Sequence, residues 1–175
     1  MSAPTSETLT AFVNEFQKTK LVAEQCIEQL SDDELHARIN PLQNCVAVIM
    51  QHMAGNMLSR WTDFLMTDGE KPDRHRESEF ADRHLSRTEL LELWNRGWTA
   101  LFEALQPLSD ADLSRTVHIR REPHTVLRAL VCQLAHYSLH VGQIQVIGKH
   151  LRGDAWKYVS IPPGGSEAFN ARMGM

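Results

Sequence analysis

The stretch Leu130–His150, LVCQLAHYSLHVGQIQVIGKH, carries two histidines one helical turn apart, His136 and His140. An α-helix turns about 100° per residue, so positions i and i+4 project from one face with side chains close enough to share an ion. Around the pair, Leu127, Leu130, Val131, Leu134, Val141 and Ile144 recur at helical spacing, with the two imidazoles along the flank of that stripe. The segment therefore reads as a long amphipathic helix from near Thr125 to about Gly148, and half of a metal site lies on it.

Working outward, Asn44–Leu65, NCVAVIMQHMAGNMLSRWTDFL, places His52 among Val46, Ile49, Met50, Met53 and Met57. Its azimuth lies roughly 60° beyond the edge of that apolar stripe, so it too is expected to face a neighbouring helix. This helix follows Pro41 and runs to about Thr67, where Asp68-Gly69 breaks it. An earlier helix is expected over Ser6–Leu30, with Leu9, Phe12, Val13, Phe16, Leu21, Val22 and Ile27 at helical spacing. Another opens at Ser86-Arg87-Thr88-Glu89, a capping-box spacing, and ends before Pro107. Arg115–Glu122 alternates apolar and polar residues, which predicts a short strand or extended segment.

The connection Glu70–Leu85 is polar, long and without an apolar repeat, which suits a functional loop. Gln29–Leu35 and Pro107–Leu113 echo each other, each with a serine three residues before an acid, the start signal of a short helical turn. The chain thus reads as two similar helix pairs: an all-α, four-helix bundle in a single domain over residues 1–175. Pro162, Pro163, Gly164 and Gly165 predict that residues 160–175 form a non-helical C-terminal tail.

A hydrophobic content of 42% with 23% charged residues is that of a soluble globular protein. A net charge of −4 and a single short basic run, His118–Arg121, argue against nucleic-acid binding. The opening MSAPTSETLTAF has no basic-then-apolar leader, and no run reaches the roughly 20 apolar residues of a membrane span, so a cytoplasmic location is the default expectation. Cys26, Cys45 and Cys132 are odd in number and lack CxxC spacing, and are read as reduced core residues. His36, His75, His84, His118, His124 and His150 fall in polar or loop-like segments and are read as surface residues.

The residues absent from the motif narrow the chemistry. Tyr137 stands where the glutamate of a His-Glu-x-x-His protease helix belongs, and no Glu-x-x-His occurs, which disfavours zincin and di-iron chemistry. Cys132, one turn before His136, offers a rival Cys-His pair but is about 11 Å along the axis from His140. Three imidazoles from His52, His136 and His140 leave coordination positions open for water or substrate, and suit zinc or nickel. Bound water of lowered pKa, or a thiolate, is the expected nucleophile. Asn56, Arg60, Tyr137 and Gln143 are candidates to bind substrate or orient the ligands. A histidine on the shoulder of an apolar stripe also serves as an ordinary hydrogen-bonded residue, so spacing alone leaves both readings open.

The lone His52 with the His136-x-x-x-His140 pair resembles the DinB-like superfamily of helical-bundle metalloproteins. His52–Pro72, HMAGNMLSRWTDFLMTDGEKP, Ala135–Ile144, AHYSLHVGQI, and Ser160–Asn170, SIPPGGSEAFN, are similar to a branch of it related to thiol-dependent transferases. The resemblance implies a four-helix bundle with an unusual crossover between helix pairs, and metal ligation by those three histidines. It also implies frequent dimers and, in some relatives, a low-molecular-weight thiol cofactor such as bacillithiol or mycothiol. The expected function is a metal-dependent enzyme of thiol S-transferase or hydrolase type acting on a small molecule. The alternative is a non-catalytic stress-response or binding module whose metal is structural or absent.

Overall fold

The computed structural model describes residues 7–174, so the expected helix start at Ser6 lies outside the described residues. Four long helices carry the architecture: α1 (Glu7–Ile27), α3 (Val46–Trp61), α4 (Arg87–Leu105) and α5 (Val126–Arg152), with two short ones, α2 (Asp32–His36) and α6 (Ser166–Arg172). The capping boxes form as their spacing predicts. Ser31 with Glu34 opens α2, Ser86 with Glu89 opens α4, and Ser109 with Asp112 opens a 3₁₀ turn at Asp110–Ser114. The echoed segments therefore do start matching short turns.

The extended segment is one arm of a hairpin, β1 (Thr116–Ile119) and β2 (Glu122–Thr125), paired antiparallel with Ile119 opposite Glu122. Its two-residue turn puts Arg120 and Arg121 at φ +55° and +67°, the left-handed pair that a tight hairpin requires. Non-glycine residues are strained there, and Asp68 offsets the strain by accepting both backbone N–H groups, at 2.8 and 2.7 Å. The end of the third-helix region is thereby tied to the hairpin, reinforced by Gly69 N–H donating to the His118 carbonyl at 2.8 Å.

α3 packs chiefly on α4, α1 chiefly on α5, and the α3–α5 and α1–α4 faces close the ring. The first and second long helices consequently lie diagonally, which is a crossover arrangement of a four-helix bundle. α3 is its interior element, with 14 of 16 residues buried. One aromatic from each long helix meets at the centre: Tyr137 lies 6.0 Å from Phe16 and 5.8 Å from Trp98, and Trp61 packs edge-on to Phe16. Such ring pairs contribute roughly 0.5–1.5 kcal/mol each beyond their buried area.

Four expectations are corrected. The buried seam of α5 runs through Val126, Leu130, Gln133, Tyr137, Val141 and Ile144, while Leu127 and Val131 face outward; the apolar residues alone misplaced the stripe because two polar side chains occupy the seam. Leu21 likewise lies on the solvent side of α1, and Ala23 and Cys26 take the interior. Cys132 is exposed rather than in the core. The tail is not wholly non-helical: once Gly165 is passed, Ser166–Arg172 forms α6, since no proline or glycine interrupts it.

Candidate metal centre

His52 comes from the buried middle of α3, and His136 and His140 from the flank of α5 that faces it. Their ligand nitrogens all lie within 4.8 Å of one another. His136 Nε2 stands 3.4 Å from His52 Nε2 and 3.0 Å from His140 Nε2. Nitrogens bound to one tetrahedral ion at about 2.0–2.1 Å would be about 3.3–3.4 Å apart, so the three are already near ligating separation. His52 is buried while the other two are half-buried, which leaves the cluster approachable from one side.

The far side of two rings is held. His52 Nδ1–H donates to Glu79 Oε2 at 2.9 Å, and His140 Nδ1–H donates to Gln143 Oε1 at 2.9 Å. A carboxylate and an amide oxygen only accept, so each bond fixes the tautomer whose Nε2 lone pair points into the cluster. His136 stays neutral: burial first, then the neighbouring His140 and His52, push its pKa down to about 3. Burial also lowers His140. His136 Nε2 faces both of those lone pairs, as a proton donor to one of them or as a third lone pair on a cation, and the three-nitrogen set fits a metal ion.

Glu79 was not singled out from the sequence. It sits in a 3₁₀ turn, Arg76–Phe80, within the polar connection between α3 and α4. Arg74 grips it with two parallel bonds, Nε to Oε1 and Nη2 to Oε2, both 2.8 Å. Burial works to raise the Glu79 pKa, but the bonds from His52 and Arg74 outweigh it and hold it below the usual value. Phe80 stacks on the His52 ring with centroids 4.5 Å apart. The sequence signal for this arrangement is Gly55 in mid-helix, since a Cβ there would collide with Glu79 Oε1 and meet its Cδ at 2.7 Å.

The other candidates take different places. Gln143 orients His140. Tyr137 turns away from the cluster into the core, where its hydroxyl accepts from Trp61 Nε1–H and donates to Asn56 Oδ1, both at 3.0 Å. Tyr137 and Asn56 thus pin α5 to α3 beside the three histidines rather than reach open solvent. Arg60 is 6% exposed and lies under Gly69, with Nε and Nη1 unpartnered among the described residues; burial lowers its pKa.

The family model for "Protein of unknown function (DUF1572)" matches residues 4–165. The chain belongs to the DUF1572 family. The match spans all four long helices and therefore every residue of the triad, together with Glu79 and Gln143. No curated protein matches the chain. Among the described residues, no helix is long and apolar enough to cross a membrane.

Proposed function

We propose that this DUF1572 protein is a metal-dependent enzyme of thiol S-transferase or hydrolase type, in the DinB-like superfamily, with His52, His136 and His140 as ligands to a zinc or nickel ion. The observation that carries the reading is the convergence of three Nε2 atoms whose opposite nitrogens, on His52 and His140, are bonded to Glu79 and Gln143. A divalent cation there supplies Lewis acidity and lowers the pKa of a thiol or water that reaches it.

The chain's own residues do the rest. Glu79, clamped by Arg74, orients His52 and makes its Nε2 a better donor. Two half-buried rings leave one face of the cluster accessible, as a site that exchanges ligands requires. Next to Gln143, a cleft of about 570 Å³ is walled by Leu42, Ile49, Leu139, Val146 and Ile147, which suits the apolar portion of a small substrate. The exposed Leu127 and Val131 on α5 support the reading that two copies pair along that helix, which sedimentation velocity tests.

The deciding experiment is elemental analysis of wild type beside a His52, His136 and His140 triple alanine variant, followed by cobalt substitution. Near-stoichiometric metal in wild type alone, and a cobalt spectrum that shifts when a small thiol is added, are expected. A spectrum inert to thiols and to small anions rejects an exchangeable site.

A further inference from the structure

We propose that His36, Cys45 and Asp82, with His84 as a fourth donor, form a second, closed site for a divalent cation of the zinc class. It is separate from the three-histidine centre. Cys45 lies seven residues before His52 on the same helix run, so about 10 Å separates the two along the α3 axis.

Three chain segments converge there. His36 ends α2, Cys45 immediately precedes α3, and Asp82 follows the 3₁₀ turn that delivers Glu79. The ligand atoms of His36, Cys45 and Asp82 all lie within 4.8 Å of one another. His36 Nδ1 is 2.9 Å from Asp82 Oδ1, and Cys45 Sγ is 3.6 Å from Asp82 Oδ2. His84 Nδ1 is 3.8 Å from Asp82 Oδ2, and its ring lies 5.5 Å from that of His36. Bonds of about 2.0–2.3 Å to a tetrahedral zinc put ligand atoms about 3.3–3.8 Å apart, so shifts of about 1 Å would complete an N₂SO set.

The orientation of the donor atoms suits a cation. His36 Nε2 faces the Leu85 carbonyl at 3.1 Å, so that nitrogen carries the proton. Nδ1 then faces both Asp82 carboxylate oxygens, at 2.9 and 3.0 Å. Cys45 is fully buried and its S–H donates to Asp82 Oδ2, so a cation held by that carboxylate would take the same sulfur as a thiolate. Cation uptake releases the Cys45 proton. His84 is exposed, its backbone N–H donates to Asp82 Oδ1 at 2.9 Å, and a side-chain rotation would bring its ring to the cluster. Four protein donors leave no open position, the mark of a structural site. With Glu79 bonded to His52 and Asp82 in this cluster, the segment between them is tied at both ends.

Cobalt(II) titration tests this without relying on the three-histidine centre, because that centre has no sulfur ligand. The His52→Ala, His136→Ala, His140→Ala variant is expected to take up one equivalent of cobalt with thiolate-to-cobalt charge-transfer absorption, lost when Cys45→Ser is added. Wild type and Cys45→Ser alone should differ in the same absorption and by one equivalent, which covers poor folding of the triple variant. Absence of thiolate absorption in wild type of normal circular dichroism overturns the site. Absorption that survives Cys45→Ser, from Cys26 or Cys132, overturns it equally.

Discussion

Glu79 Oε2 accepts the Nδ1–H of His52 at 2.9 Å, although the two residues stand 27 positions apart and Glu79 belongs to a connection with no apolar repeat. That bond converts a polar loop into part of the candidate metal centre. Glu79→Gln removes the charge and keeps the size. The expected result is a metal affinity about 10–100-fold lower, measured by competition with a chromophoric chelator. An unchanged affinity would remove Glu79 from the site.

Gly55→Ala addresses the same residue from the other side. Alanine is the better helix former by about 1 kcal/mol, yet its Cβ would displace a carboxylate already clamped by Arg74. The variant should retain its helical circular dichroism while losing metal affinity to a degree comparable with Glu79→Gln.

His140→Ala removes a proposed ligand and should lower metal content more than Glu79→Gln does, with the circular dichroism near normal because His140 is half-buried at the bundle's flank. Elemental analysis after dialysis reads this directly. Full retention of metal would show that the triad is not the binding site.

Tyr137→Phe leaves Trp61 Nε1–H without an acceptor and Asn56 Oδ1 without that donor in the buried centre of the bundle. A loss of roughly 1–3 kcal/mol in urea unfolding is expected, with metal affinity little changed. Burial raises the Tyr137 pKa, so it stays a neutral donor across the ordinary pH range.

Asp68 provides the pH dependence. Burial works against its charge, but the backbone bonds from Glu70, Arg121 and Arg120 outweigh it and lower its pKa in the folded state. A carboxyl whose folded pKa is depressed contributes stability above its unfolded pKa, lost as pH falls through the folded value. Asp68→Ala should therefore cost about 1–2 kcal/mol at neutral pH, and the difference from wild type should shrink in acid. A difference constant from pH 7 down through the acid transition would contradict the assignment.

The features that depend on neighbours in sequence were legible in it. The four-residue spacing of His136 and His140 puts both on one face of any α-helix, and the serine-to-acid spacings at Ser31, Ser86 and Ser109 satisfy backbone donors within a single turn. The all-α class followed from those periodicities, whereas the joining of His52 to the α5 histidines was implied by the family resemblance. What tertiary structure alone decided is which distant groups meet. Glu79 reaches His52, and Asp82 reaches His36 and Cys45, only because the connection after α3 folds back along that helix. Tyr137 entered the seam of α5 because its hydroxyl is bonded there to Trp61 and Asn56, which periodicity of apolar residues does not encode. Local hydrogen bonding is written in spacing; a loop's path is set by the packing it completes.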